Sequence, residues 1–209
     1  MNFLLIAVLA YIIGSFPTAY LLMKRKGINI LSEGTGNVGT MNALRVSGSK
    51  ITGALVFIID FVKGLLAVFL TGALFGHSFL FLITALIFAV AGHCFSVWLK
   101  FKGGRGLATA LGGSVIFVPV IPGLWILLWI ITYVYKKNIH FANVSATFLL
   151  MLLVIFSGDI LSKYSIYKPE SVFNFSATIS VLLVIILVKH IKPLKEYFKN
   201  EKEKILRKK

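Results

Sequence analysis

Charge, cysteine and the short motifs of soluble catalysis are all scarce in this chain. Charged residues make up 14% of its 209 residues and hydrophobic ones 58%, and the mean hydropathy is +0.91, far above what a water-soluble core requires. The single cysteine, Cys94, excludes an intramolecular disulfide and any CxxC metal or redox site, and zinc chemistry goes with it. A GxSxG elbow and an evident catalytic triad are both missing. Nothing basic precedes the first apolar run, residues 2–23, and no small-residue cleavage site follows it. Lys24-Arg25-Lys26 flanks that run instead, so it reads as a retained span and not as a signal peptide.

What the chain does have is apolar length. Residues 2–23, 51–70, 78–92, 107–118, 120–135, 141–156 and 171–188 are candidate spans, given that a crossing takes about 20 apolar residues and somewhat fewer when short or tilted. The stretch 107–118 is short and parted from the next only by Pro119, so it reads as a half-helix or broken hairpin. A membrane tolerates that only where the backbone is buried against protein or lines a wet cavity. Positive residues stay with cytoplasmic loops. With an external N-terminus the inside segments 24–50, 93–106, 136–140 and 189–209 hold five, three, two and nine of the 22 Lys and Arg. Lys163 and Lys168 alone fall outside, beside Asp159 and Glu170, and Lys63 falls within a span. The expected fold is all-α: one polytopic integral membrane domain over residues 1–209, with about seven transmembrane helices, N-out and C-in. Of the net charge of +15, the tail 189–209, next to a span, carries +6. There anionic headgroups attract each basic residue by about 1 kcal/mol, so membrane lipid and not nucleic acid is the expected partner.

Two loops are too patterned for plain connectors. The first runs Ser32-Glu33-Gly34-Thr35-Gly36-Asn37-Val38-Gly39-Thr40-Met41-Asn42-Ala43-Leu44-Arg45. Its three glycines, free to take positive φ and carrying no Cβ, fit either a turn or a nest of backbone N–H groups around a phosphate. Thr35, Asn37, Thr40 and Asn42 add neutral hydrogen-bonding groups, and Arg45 adds a planar fork matched to phosphate oxygens. Neither a Walker loop nor GxGxxG is spelled. The second loop, Lys100-Phe101-Lys102-Gly103-Gly104-Arg105-Gly106-Leu107-Ala108-Thr109, opens a helix with a guanidinium beside its first N–H groups, which fits a second anion site or a topogenic turn.

Asp60 and Lys63 share a helix face inside a span and read as a structural ion pair. Of the four histidines, His77 reads as a solvated bystander and His140 as an interfacial residue. His93 and His190 lie at cytoplasmic span ends beside the basic loops, where a general base or a phosphate-orienting group would stand.

Gly34 to Gly39 with Asn42 and Arg45, the segment around Asp60 and Lys63, and Gly92-His93-Cys94-Phe95 leading into Phe101 to Thr109 resemble the bacterial acyl-phosphate:glycerol-3-phosphate acyltransferases of the PlsY type. The resemblance runs from the first span to the last. It implies seven spans in a bacterial plasma membrane and an active site facing the cytoplasm. The implied reaction is transfer of a fatty acyl chain from acyl phosphate to the 1-hydroxyl of glycerol 3-phosphate, giving lysophosphatidic acid and phosphate with no cofactor and no metal. It places acyl phosphate on Gly34, Thr35, Gly36, Asn37, Gly39 and Thr40. Glycerol 3-phosphate falls to Asn42, Arg45, Lys102, Arg105, Ser145 and His190. His93, His190 or the acyl donor's own phosphate oxygen would take the proton. An acyl phosphate already has a good leaving group, so no Ser or Cys nucleophile is required. The chain departs from the family at Asn29-Ile30-Leu31, Met41, Arg105 and Asn143, the last standing where a Ser is expected. It departs most after His190, where Pro193 replaces an Asn and is expected to break or kink the helix. A small transporter for an anionic metabolite, or a weakened relative of the family, would share the composition; no inverted repeat of the transporter kind is visible.

Overall fold

The computed structural model describes residues 1–206, the side chains at 200, 201, 204 and 205 excepted; the end of the basic tail, residues 207–209, lies outside the described residues. The helices are α1 (Asn2–Ser15), α2 (Thr18–Lys24), α3 (Thr40–Ser47), α4 (Lys50–Phe75), α5 (Phe79–Cys94), α6 (Leu107–Ser114), α7 (Val120–Lys136), α8 (Ile139–Phe156), α9 (Gly158–Leu161) and α10 (Val172–Leu206). Among the described residues no strand occurs. Five helical units are long and apolar enough to cross a membrane: Asn2–Lys24, Lys50–Phe75, Phe79–Leu99, Ile139–Phe156 and Val172–Lys199. Their outward faces carry bare Leu4, Ile51, Phe69, Phe156 and Phe173, the pattern of helices that are apolar all round.

Local chemistry sets the element ends. Pro17 has no N–H to give and holds Phe16 extended (φ −54°, ψ 120°), which splits the first unit into α1 and α2. Ser49 caps α4 by accepting from the Thr52 amide, and Asn138 caps α8 by accepting from the amides of His140 and Phe141. Of the break or kink expected at Pro193, the break does not occur: α10 runs through it. A proline removes one helical bond, here to the Lys189 carbonyl, and the helix continues on both sides of it over 35 residues.

At the centre is α5, with 56% of its apolar window buried against 28–39% in the other long helices. It packs on α1, α4, α6 and α10. Phe3 meets Phe81, and Tyr11 donates to the Phe95 carbonyl, so α1 and α5 run parallel. The crossing of α4 and α6 is made by glycine: a Cβ at Gly64 would overlap the Thr109 carbonyl, and one at Gly112 the Phe61 carbonyl. Close backbone approach of this kind drives helix association in lipid.

The stretch 107–118 is indeed broken. Its helix, α6, has eight residues, about 12 Å. Yet Gly106 lies against Cys94 at one end of α5, and Phe117 packs on Phe79 at the other, so this stretch covers the depth of the 16-residue α5. The turn that completes it is satisfied by protein: the Phe117 carbonyl accepts from the Ile166 amide (2.9 Å) and the Ser165 hydroxyl (3.2 Å). That far end also gathers the Ser78–Glu170 hydrogen bond and the His77–Tyr167 stack. The two patterned loops share the opposite end.

Candidate active site

In the first loop, Gly34 (φ 60°) and Gly36 (φ 67°) are left-handed, but Gly39 is extended (φ −154°) and serves as the N-cap of α3. The expectation that all three glycines exploit positive φ is thus corrected at Gly39. A Cβ there would meet the Asn37 amide, and what the position supplies is open access to the first N–H groups of α3. Asn42 holds the loop together. Its buried amide accepts from Thr35 N (2.9 Å) and donates to the carbonyls of Glu33 (3.0 Å) and Ile30 (3.4 Å).

The second loop folds over His93. Gly104 N donates to the His93 carbonyl (3.0 Å), and a Cβ on Gly104 would collide with the His93 ring. Gly106, left-handed at φ 84°, then starts α6. Gly39, Thr40 and Met41 at the start of α3 and Gly106, Leu107 and Ala108 at the start of α6 line one cavity, so two positive helix ends converge there. Arg105, just before the cap of α6, lines the same cavity, 3.3 Å from His140 Nδ1. Burial pulls the Arg105 pKa down, with Glu196 opposing that shift and Arg45 adding to it; a guanidinium stays charged throughout.

Lys63 spends its three ammonium hydrogens on Asp60 Oδ1 (2.8 Å), the Phe16 carbonyl (2.9 Å) and His93 Nδ1 (3.2 Å). An ammonium only donates, so Nδ1 of His93 accepts and the ring proton sits on Nε2. On α10, His190 is buried and its Nδ1 lies 2.8 Å from the Ile186 carbonyl, which only accepts; here the proton sits on Nδ1. The remaining lone pair, on Nε2, takes a hydrogen bond from Asn143 Nδ2 at 3.3 Å.

These groups face a cavity of about 410 Å³. One end is polar, with Asn37, Thr40, Asp60, His93, Arg105, Asn143 and His190; the rest is lined by Phe57, Leu111, Ile121, Trp125, Leu150 and Leu182. A family model described as glycerol-3-phosphate acyltransferase matches residues 4–200. The chain belongs to the glycerol-3-phosphate acyltransferase family. Among its relatives, the glycerol-3-phosphate acyltransferase of Wolbachia pipientis wMel is 36% identical over 142 residues, covering 68% of this chain and 73% of the relative. That of Aquifex aeolicus (strain VF5) is 34% identical over 159 residues, covering 76% and 82%. Two crystal structures of PlsY, an integral membrane glycerol 3-phosphate acyltransferase, share the fold. Its glycerol 3-phosphate form gives a TM-score of 0.79 at 28% identity, covering 96% of this chain and 94% of that one. Its lysophosphatidic acid form gives 0.76 at 29% identity, covering 96% and 93%.

Of the residues that the acyltransferase resemblance singles out, the cavity wall collects Asn37, Gly39, Thr40, Arg105, His93 and His190. Gly34, Thr35 and Gly36 sit behind it as the turn that delivers α3, and Asn42 is committed to that turn. Arg45 and Lys102 are exposed and off the wall, although Arg45 is near enough for its charge to act on Arg105. Ser145 is off the wall too; on a helix it points well away from Asn143, two residues earlier, which is the α8 residue that lines the site. Asp60 and Lys63 form the expected ion pair, with His93 as an unexpected third member. His140, read from the sequence as interfacial, is a neighbour of Arg105.

Proposed function

We propose that this chain transfers a fatty acyl group from acyl phosphate to the 1-hydroxyl of sn-glycerol 3-phosphate, releasing lysophosphatidic acid and inorganic phosphate. It does so as a single-domain enzyme of seven crossings, N-out and C-in, at the cytoplasmic face of a bacterial plasma membrane. The observation that carries this reading is a cavity with two helix N-termini and Arg105 at one end and an apolar tunnel wall at the other. It matches a reaction whose substrates bring two phosphates and one alkyl chain. The acyl phosphate binds with its phosphate on Asn37, Thr40 and the first N–H groups of α3. Glycerol 3-phosphate is held by Arg105, with Arg45 adding long-range attraction. His93, protonated at Nε2, faces the site as a hydrogen-bond donor for the oxygen that gains charge as the carbonyl is attacked.

Both imidazoles have their lone pairs engaged, His93 by Lys63 and His190 by Asn143. The proton acceptor is therefore the acyl donor's own phosphate. The glycerol oxygen bonds to the carbonyl carbon, the carbon–oxygen bond to phosphate breaks, and the hydroxyl proton leaves on the phosphate. The test is purified protein in lipid nanodiscs with palmitoyl phosphate and labelled glycerol 3-phosphate. Lysophosphatidic acid and phosphate are expected in equal amounts, and palmitoyl-CoA is expected to give none. Equal rates with palmitoyl-CoA, or flux across proteoliposomes without turnover, would overturn the reading.

A further inference from the structure

Trp129, on α7, lines the cavity and is tied to its polar end by a chain of hydrogen bonds whose direction is forced at both ends. Its indole N–H, which can only donate, lies 2.6 Å from Asn143 Oδ1. Asn143 Nδ2 donates to His190 Nε2 (3.3 Å), and His190 Nδ1 donates to the Ile186 carbonyl (2.8 Å), which can only accept. The amide therefore cannot turn over without setting an indole N–H against an amide N–H and a carbonyl oxygen against a lone pair. The indole itself is fixed by stacking on Tyr133 at 4.9 Å and 5°. One level further in, Trp125 Nε1 donates to Thr147 (2.9 Å), so a step of four along α7 matches a step of four back along α8 and fixes the register of the pair.

An amide nitrogen carries two hydrogens, and the chain uses one. Asn143 lines the cavity beside His190, one turn along α8 from His140, the neighbour of Arg105. Resting on the reading above, we propose that Trp129 is a positioning residue for the acceptor substrate: it holds Asn143 so that its second Nδ2 hydrogen is presented to an oxygen of glycerol 3-phosphate. Asn143 is the binding residue and Trp129 acts only through it. Where α8 and α10 meet, the polar group left for a ligand is thereby a donor, suited to an anionic headgroup.

The experiment measures equilibrium binding of labelled glycerol 3-phosphate, with no acyl donor present, to the full-length protein in nanodiscs, and KM for both substrates alongside. Asn143→Leu, close in shape and unable to donate, is expected to weaken glycerol 3-phosphate binding about 10-fold or more, since the lost bond is to a charged oxygen. Trp129→Phe, which keeps the ring, is expected to weaken it about 2- to 10-fold. Both should leave KM for palmitoyl phosphate within about twofold. Added to Asn143→Leu, Trp129→Phe should cost nothing further, because it acts through a group already gone. Additive losses, a parallel rise in KM for both substrates, or unchanged binding in either single variant at an unchanged unfolding temperature would overturn the proposal. Binding that responds as expected in a protein that makes no lysophosphatidic acid would overturn the catalytic reading and leave this one standing.

Discussion

Arg105 is the cation on the cavity wall, half-buried beside the start of α6, whereas Arg45 and Lys102 are out in solvent. Removing it deletes a charge-assisted contact of about 1.5–3 kcal/mol, so Arg105→Ala should lower kcat/KM for glycerol 3-phosphate about 10- to 200-fold. Arg105→Lys should keep much of the activity, because a point charge remains on the same cavity wall; an alanine variant as active as the parent would reduce Arg105 to a topogenic role. At this scale the sequence is legible where partners are close along the chain. Asp60 and Lys63 are one helical turn apart and declare themselves as a pair. His93 is 30 residues away and joins them only because Gly104 leaves room for its ring and Lys63 has a third hydrogen to give. Asn143 was legible as a departure from the family pattern but not as a site residue, since its partners Trp129 and His190 come from two other helices. Pro193 brings no amide three residues after His190, and the amide that meets His190 is instead Asn143, from α8.

At the scale of elements, the working parts are delivered by short helices. Both α3 and α6 have eight residues, and each points its first turn at the cavity. Neither would be stable alone, since isolated helices under about 12 residues are marginal, so packing must hold them. For α6 that packing is the glycine crossing with α4. Gly112→Leu puts a side chain where the Phe61 backbone runs, and no rotamer change can relieve a backbone clash. Overpacking typically costs about 1–3 kcal/mol, read here as a lower unfolding temperature in detergent. Activity should fall with it, as α6 is pushed off the cavity; an unchanged melting curve would mean that α4 and α6 separate at little cost. The break after α6 was readable from Pro119, Pro122 and the short apolar run. The continuity of α10 through Pro193 was not, because proline propensity is local, whereas Pro193 is buried and follows a helical stretch packed on α5 and α8.

For the molecule as a whole, the helix ends sort into two faces that agree with the charge distribution along the chain. The patterned loops and most of the basic residues share one face; Lys163, Lys168, Asp159 and Glu170 share the other. If the first face is cytoplasmic, a membrane-impermeant maleimide added to intact cells should label Lys168→Cys and should reach Lys26→Cys only after permeabilisation. Cys94 is buried and should stay silent. The reverse pattern would invert the topology. Composition made the membrane class plain, and the positive residues made the alternation readable, but the depth covered by residues 107–118 depended on contacts with α5 that no local pattern encodes. The Phe117 carbonyl has a history as well as a place. Its partners, Ser165 and Ile166, are 48 and 49 residues further along the chain, and at about 5–20 residues per second they leave the ribosome roughly 2–10 s later. During that interval the turn after α6 has no protein to satisfy it. The middle of the chain can enter the membrane early but can be sealed there only once the loop between α8 and α10 has been made.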